Sequence, residues 1–159
     1  MIRPTVPSDH SALLELAQVS NLFEPEEIKQ LTAMLKFPGK QDVWFTDDHD
    51  VGPVGVAYLA PEKMTTGTWN LYWLAVHPHH QKQGRGRALL TYVQQWLMDR
   101  GARLLLVETA GIEAVEYVWR FYASCGFERE ARIRDFYDVG VDKVIFRKAI
   151  ALSNTQAIS

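Results

Sequence analysis

The residues whose types and spacing best suit ligand binding form a loop in the middle of the chain. Gln81, Gly84 and Gly86 follow a Gln-x-x-Gly-x-Gly spacing, between an apolar segment and an apolar helical pattern. Glycine has no Cβ, so the backbone at both glycines can take positive φ and let an anion approach its N–H groups. The sequence therefore predicts an anion cradle over residues 81–87. Three basic residues add mobile positive charge around it: Lys82, Arg85 and Arg87.

A strand and an amphipathic helix must position this loop. The strand is predicted over Asn70 to Val76, which is rich in β-branched and aromatic residues, and it should end near His77 because Pro78 cannot donate to a ladder. A helix follows the glycines and can close at Arg100 and Gly101. Unpaired N–H groups at the start of a helix, with the positive end of its dipole, form a ready site for phosphate. The apolar face of the helix comprises Leu89, Leu90, Val93, Trp96 and Leu97.

Two familiar nucleotide-binding motifs do not fit the loop. A Walker loop needs Gly-Lys-Ser/Thr after its second glycine, whereas Gly86 is followed by Arg87 and Ala88. A dinucleotide-binding fingerprint needs a third glycine at the position that Leu89 occupies. The sequence supports neither nucleotide fold.

Two motifs together resemble the GNAT superfamily of N-acetyltransferases. The first is the cradle, since the acyl-CoA loop of that family reads Gln/Arg-x-x-Gly-x-Gly/Ala. The second is a Phe-Tyr-x-x-x-Gly-Phe motif, formed here by Phe121, Tyr122, Gly126 and Phe127 at the end of a helix predicted over Glu113 to Ser124. Gly126 is the natural left-handed cap of that helix. The resemblance covers about residues 41–148.

The resemblance implies a single α/β domain of GNAT type, with a mixed central β-sheet flanked by helices. Two parallel strands, the one before the cradle and Leu104 to Thr109, are then expected to splay apart around the CoA site. The second is a nearly continuous apolar run, as in a strand covered on both faces. A helical connection of this length favours parallel pairing. We expect the GNAT domain over residues 1–152 and a frayed polar tail over residues 153–159.

The same resemblance implies acetyl-CoA as co-substrate. In the family, successive amides of the loop hold the pyrophosphate of coenzyme A, and main-chain groups of the preceding strand pair with the pantetheine arm. The residues expected to bind the co-substrate are therefore Leu74, Ala75, Val76, Gln81, Lys82, Gln83, Gly84, Arg85, Gly86 and Arg87.

Acetyl transfer from a thioester to an amine needs a neutral nucleophile, an oxyanion stabiliser and a proton for the leaving thiolate. The resemblance gives Tyr122 the role of general acid and a backbone N–H near Val76 that of oxyanion stabiliser. Some members of the family carry a glutamate at the position of Asn70, which cannot act as a base. We nominate Glu108, on the neighbouring strand, as a base acting through water. A structural, hydrogen-bonded carboxylate or an anchor for the acceptor amine stays open as its alternative role.

The acceptor is predicted to be a small-molecule or amino-acid-like amine. In the family, a pair of N-terminal helices lines the acceptor site, so Phe23, Met34 or Phe37 is expected to contact the substrate. Asn70 and Tyr72 are also predicted to bind the acceptor. An antibiotic, a protein N-terminus and a lysine stay open as acceptors. A second function also stays open, that of a non-catalytic acyl-CoA-binding or sensor module. Two departures from the family support this alternative. Asn70 cannot act as a base, and the segment from Thr109 to Val118 lacks an asparagine that many members have there.

Val43 to Thr46 and Val54 to Leu59 predict a hairpin joined by the polar loop Asp47 to Pro53. Consecutive acidic residues in such a loop are more often solvated turn formers than metal ligands. We therefore predict no metal site there. The same prediction holds for the closely spaced loop histidines His77, His79 and His80.

Composition bounds the remaining possibilities. The 159 residues are 47% hydrophobic and 23% charged, as in one ordinary globular domain. A net charge of -2 gives no global attraction to nucleic acid, and no apolar run suits a membrane span or signal peptide. One cysteine, Cys125, excludes an internal disulfide and fits a reducing compartment. We predict a cytoplasmic protein; the resemblance implies a homodimer, although no residue in the sequence specifies the interface.

Overall fold

The computed structural model describes residues 1–20 and 23–150. The predicted tail at 153–159 lies outside these residues. The hydrogen-bonded strand order is β1-β2-β3-β4-β5-β7-β6. The strands are β1 (Ile2–Pro4), β2 (Val43–His49), β3 (Gly52–Pro61), β4 (Thr68–Val76), β5 (Leu104–Ala110), β6 (Glu128–Asp138) and β7 (Val141–Ala149). The helices are α1 (His10–Val19), α2 (Pro25–Lys36), α3 (Arg85–Asp99) and α4 (Glu116–Ser124), with short 3-10 turns at Pro7–Asp9, Pro78–His80 and Glu113–Val115.

The predicted fold class is confirmed, since the chain has an α/β fold with a mixed seven-stranded sheet. β4 and β5 are parallel, whereas β1 with β2, β2 with β3, β5 with β7 and β6 with β7 are antiparallel. The parallel pair is the one joined through α3, as the length of that connection requires. Among the described residues, no helix is long and apolar enough to cross a membrane.

The described chain divides into two compact units. The first comprises residues 1–60 and 73–93 and contains β1, β2, α1 and α2. Its helices bury apolar stripes, led by Leu13 and Leu16 of α1 and Leu31 of α2. The stripes pack with aromatic residues of the strands, among them Trp44, stacked on Tyr58 at 4.2 Å between ring centroids. This core holds the strand that leads into the cradle.

The second unit comprises residues 61–72 and the chain from Gln94 onward. Its parallel ladder pairs Thr68–Leu71 of β4 with Leu104–Val107 of β5. β4 runs on to Val76 and β5 to Ala110. The splay that the resemblance implies beyond this ladder stays a prediction. β7 pairs along the whole other edge of β5.

The hairpin loop is shorter than predicted. β2 continues to His49 and β3 begins at Gly52, so the turn is reduced to two residues. Asp47 is wrongly predicted as a solvated turn former, because it is buried in β2 beside a bulge at Asp48. The physical reason is ion pairing, since both aspartates bind arginines of the same unit. A buried carboxylate is stable in a strand when an arginine neutralises it.

Candidate active site

The cradle follows β4 through a tight turn. Pro78–His80 forms a 3-10 turn, and the side-chain amide of Gln81 donates to the carbonyl of Val76 at 3.0 Å, which folds the loop back onto the end of the strand. Lys82 and Gly84 take left-handed conformations, with φ of 61° and 78°. A Cβ placed on Gly84 would meet no atom within 4 Å, so the backbone there faces open space. The loop is thus fixed at its base and open at its tip.

α3 begins directly after this left-handed glycine. The N–H of Ala88 donates to the carbonyl of Gly84 at 3.0 Å, which closes the first helical turn. The N–H groups of residues 85–87 precede this bond and have no carbonyl within the helix to receive them. Together with the positive end of the helix dipole they suit a diphosphate, so the residues present fit the predicted co-substrate.

Gly86 differs from its prediction. It lies in the first turn of α3 and, unlike Gly84, is not among the residues with positive φ. Glycine costs about 0.5–1 kcal/mol relative to alanine inside a helix. Gly86 therefore does not supply a special backbone conformation, and close approach of an anion at this residue stays a prediction.

Arg85 also differs from its prediction as a mobile charge. Its Nη1 donates to Oδ2 of Asp47 at 2.9 Å, and the two side chains are 19% and 5% exposed. The guanidinium is held against β2 because the buried carboxylate needs a partner. The side chain of Arg85 therefore anchors the helix start, and binding of the co-substrate by its backbone N–H stays a prediction. Lys82 and Arg87 are exposed and remain the basic side chains of the cradle surface.

The second unit gathers polar side chains around Asn70. The amide nitrogen of this buried asparagine donates to Oε1 of Glu62 at 3.0 Å and to Oε1 of Glu108 at 2.9 Å. The hydroxyl of Tyr72 donates to the same oxygen of Glu62 at 3.2 Å, and Lys143 pairs with Oε2 of Glu108 at 2.9 Å. We call these five residues the amide–carboxylate cluster. Three of them, Asn70, Tyr72 and Glu108, were predicted from the sequence as site residues.

Glu62 was missed in the sequence. It follows the last residue of β3, and its backbone N–H donates to the carbonyl of Thr68 at 2.8 Å, the first residue of β4. The turn between these strands was visible from Pro61 and Gly67. Hairpin pairing places Glu62 near the start of β4. The register of this hairpin would therefore have predicted the contact between Glu62 and Asn70.

Tyr122 lies at the last turn of α4 and is 5% exposed. Its ring contacts three aromatic rings at centroid distances of 5.3–6.1 Å: Phe121, Phe127 and Phe146. Burial raises the pKa of its hydroxyl, and the nearby Cys125 adds to the rise. The hydroxyl therefore stays protonated through the neutral range, as a proton donor to a thiolate must.

The end of α4 is fixed by a left-handed cap, as predicted. Gly126 has a φ of 88°. The N–H of Phe127 donates to the carbonyl of Tyr122 at 3.0 Å, and that of Gly126 to Ala123 at 3.1 Å. These two bonds form a Schellman motif. The Gly-Phe pair of the second motif thus holds the backbone of the tyrosine in place.

Phe23 lies in the first unit, where its ring packs edge-on against Trp73 at 5.6 Å. It borders a shallow depression with Glu27, Gln30, Leu31 and Met34. Phe37, also considered for acceptor contact, is 81% exposed at the end of α2. The predicted acceptor role of Phe23 stays a prediction.

The comparisons with known proteins agree with this geometry. The family model described as "Acetyltransferase (GNAT) domain" matches residues 40–129. A putative acetyltransferase of the GNAT family from Desulfovibrio desulfuricans is 34% identical, with a TM-score of 0.88 over 95% of this chain and 99% of that one. A comparison with curated proteins finds no match. The chain belongs to the GNAT acetyltransferase family.

More distant structures share the fold. The ribosomal-protein-S18-alanine N-acetyltransferase from Escherichia coli has 24% identity and a TM-score of 0.79, covering 96% of this chain and 95% of that one. A putative acetyltransferase from Salmonella typhimurium, solved with its cofactor acetyl-CoA, has 17% identity and a TM-score of 0.70, covering 95% and 94%.

Proposed function

We propose that this protein transfers the acetyl group of acetyl-CoA to a primary amine of a small-molecule or amino-acid-like acceptor, by direct attack in a ternary complex. The observation that carries the proposal is the start of α3, where a left-handed Gly84 is followed at once by first-turn N–H groups and a side-chain-free Gly86. These groups suit the pyrophosphate of the co-substrate. The Salmonella typhimurium neighbour with acetyl-CoA supports the choice of donor.

In this reaction the amine nitrogen attacks the thioester carbon, the carbon–sulfur bond breaks, and the thiolate leaves with the bonding electrons. We assign the proton that the thiolate receives to Tyr122, whose buried hydroxyl is protonated at working pH. The tyrosine regains a proton as the attacking nitrogen releases one. A backbone N–H near Val76 stabilises the oxyanion before the bond breaks.

For Glu108 we favour the role of a structural, hydrogen-bonded carboxylate over that of base. One carboxylate oxygen accepts from Asn70, and the other pairs with Lys143, which is 7% exposed. Lys143 also lies 3.7 Å from the ring centroid of Phe136 and is thus held on two sides. Both oxygens of Glu108 have partners, which supports a role in fixing Asn70 rather than in proton uptake.

We further propose that the protein acts in the cytoplasm as a homodimer. β6 is exposed along its length and lies at the end of the strand order. Large exposed apolar patches often mark interaction surfaces. Four exposed apolar residues on or next to β6 support the dimer: Ile133 at 44%, Phe136 at 49%, Tyr137 at 48% and Val139 at 89%.

The test of the function is isothermal titration with acetyl-CoA, followed by an amine screen read by release of free thiol. The native protein should bind acetyl-CoA, Gly86→Trp should not, and at least one amine should release CoA. If the protein binds acetyl-CoA but releases thiol with no amine, the non-catalytic acyl-CoA-binding module is favoured. The presence of Asn70 in place of a carboxylate is the observation that supports this alternative. Absence of binding to the native protein overturns the proposal.

A further inference from the structure

The amide–carboxylate cluster contains a buried acceptor atom without a donor. Oδ1 of Asn70 has no hydrogen-bond partner among the described residues, and the residue is fully buried. Its orientation is fixed, because Nδ2 serves two carboxylates. A flipped amide would set its oxygen against both carboxylates and remove the hydrogen bond that Asn70 donates to each of them. An unpaired buried acceptor is destabilising, so the cluster favours the arrival of a donor.

Glu62 offers a second acceptor atom in the same cluster. The bonds from Asn70 and Tyr72 both fall on Oε1, and no bond from the described residues falls on Oε2. Glu108 differs, since each of its oxygens has a partner. Glu62 is therefore the carboxylate of the cluster that retains capacity to bind a ligand.

The net charge of the cluster indicates which kind of ligand it can bind. Glu62 and Glu108 bring two negative charges and Lys143 one positive charge, and within the described residues no lysine or arginine pairs with Glu62. A primary ammonium carries one positive charge and three N–H donors. It matches both the net charge and the two acceptor atoms, Oε2 of Glu62 and Oδ1 of Asn70.

We propose that Glu62 and Asn70 receive the ammonium group of the acceptor, and that Glu62 takes the proton which this nitrogen must lose before it attacks. This inference rests on the proposed function and names the acceptor class. The substrate is an aliphatic primary amine, which is an ammonium ion in water at neutral pH. In the step, R–NH3⁺ and the Glu62 carboxylate become R–NH2 and the carboxylic acid, which then returns the proton to solvent.

The other members of the cluster have supporting roles. Glu108 and Lys143 orient the amide of Asn70, and the half-exposed Tyr72 steadies Glu62 through a bond of 3.2 Å. They are positioning residues. Tyr72→Phe should therefore raise KM for the amine more than it lowers kcat, because it loosens the carboxylate without removing it.

The test uses the full chain with acetyl-CoA and four amines: butylamine, 1,4-diaminobutane, alaninamide and the aromatic amine aniline. The native protein should acetylate the aliphatic amines in preference to aniline. Glu62→Gln keeps the size of the side chain and should lower kcat/KM for the aliphatic amines by about 10²-fold or more, the usual contribution of a general base. The pH dependence of the residual rate should also flatten, which a merely structural role would not produce.

Three further measurements separate the outcomes. Acetyl-CoA affinity should be the same in Glu62→Gln as in the native protein, and Glu62→Asp should recover part of the rate. Glu128→Gln, which removes the same charge from exposed β6, is the matched control. An unchanged kcat/KM and pH profile in Glu62→Gln would overturn this inference and leave the function standing. A native protein that binds acetyl-CoA but acetylates none of the aliphatic amines would also overturn this inference. A native protein that does not bind acetyl-CoA would overturn the proposed function.

Discussion

Arg85, the first residue of α3, donates from Nη1 to Oδ2 of Asp47 in β2 over 2.9 Å. The bond ties the start of the cradle helix to a hairpin far away in sequence. Asp47 also lies 3.8 Å from the N-terminal amine of Met1. The position of the first-turn N–H groups therefore depends on a buried carboxylate outside the cradle.

Replacing this carboxylate should affect stability and binding together. We expect Asp47→Asn to lower the free energy of unfolding by about 1.5–3 kcal/mol, the usual range for a hydrogen bond to a charged group. Acetyl-CoA affinity should fall as well, because the helix start loses its anchor. Urea unfolding and titration calorimetry measure the two effects. Asp50→Asn, in the exposed turn of the same hairpin, should change neither; equal effects from the two variants would contradict the anchoring role of Asp47.

Gly86 should show opposite effects on stability and on binding. Gly86→Ala improves helix propensity and should raise the free energy of unfolding by up to about 1 kcal/mol. A helical Cβ tilts toward the N-terminus, where the first-turn N–H groups must meet the pyrophosphate. Acetyl-CoA should therefore bind more weakly to this variant, and Gly86→Trp should abolish binding.

The control for Gly86 is Thr91→Ala, an exposed position on the same helix that also gains helix propensity. It should stabilise the protein and leave the dissociation constant for acetyl-CoA as in the native chain. A Gly86→Ala variant that binds acetyl-CoA as tightly as the native protein would show that the cradle does not require close approach at this residue.

Tyr122→Phe should reduce turnover without weakening the fold. No hydrogen bond joins its hydroxyl to the described residues, so removing that hydroxyl should not lower stability. Loss of a general acid should reduce kcat by about 10²-fold or more, with the acetyl-CoA dissociation constant unchanged. Because burial raises the pKa of Tyr122, the native rate should not decline through ionisation of this group below about pH 10. Tyr117→Phe, 60% exposed on α4, is the control; equal rates for both variants would refute the general-acid assignment.

The sequence predicted the elements whose signals are local. The strand before Pro78 and the cap at Gly126 depend on residues close together in the chain. The parallel pairing joins distant residues, but the length of the helical connection between the two strands predicts it. The start of α3 was harder to predict because glycine permits both a loop and a helix. Positive φ was predicted as accessible at both glycines, and the structure has it at Gly84 and also at Lys82, but not at Gly86.

The polar contacts of the site depend on pairing between distant segments, and the sequence does not encode such pairing locally. Glu62 and Glu108 meet at Asn70 only because β4 pairs with segments on either side of it. Asp47 and Arg85 form an ion pair across 38 positions, and a run of acidic residues beside a turn gave no sign of burial. Predicting these contacts would have required the strand register, which the order of motifs leaves undetermined.

Acid stability should depend on Asp9, at the N-terminal end of α1. This buried carboxylate accepts two hydrogen bonds from Arg3, at 2.8 and 2.9 Å, and one from the N–H of Val6 at 2.9 Å. The hydrogen bonds from Arg3 are the main cause that lowers the pKa of Asp9 below its ordinary value of 3.8. Its contribution to stability is therefore fully present at pH values well above 3.8 and is lost as the pH falls through the pKa of the folded state.

We accordingly expect Asp9→Asn to lower the free energy of unfolding at pH 7 by about 1–3 kcal/mol and to make its decline at acid pH shallower than in the native protein. Urea unfolding at a series of pH values between about 2 and 7 measures both effects. Glu15→Gln, exposed on α1, should follow the native curve. If Asp9→Asn and the native protein lost stability in parallel below pH 4, the lowered pKa of Asp9 would not be a source of acid sensitivity.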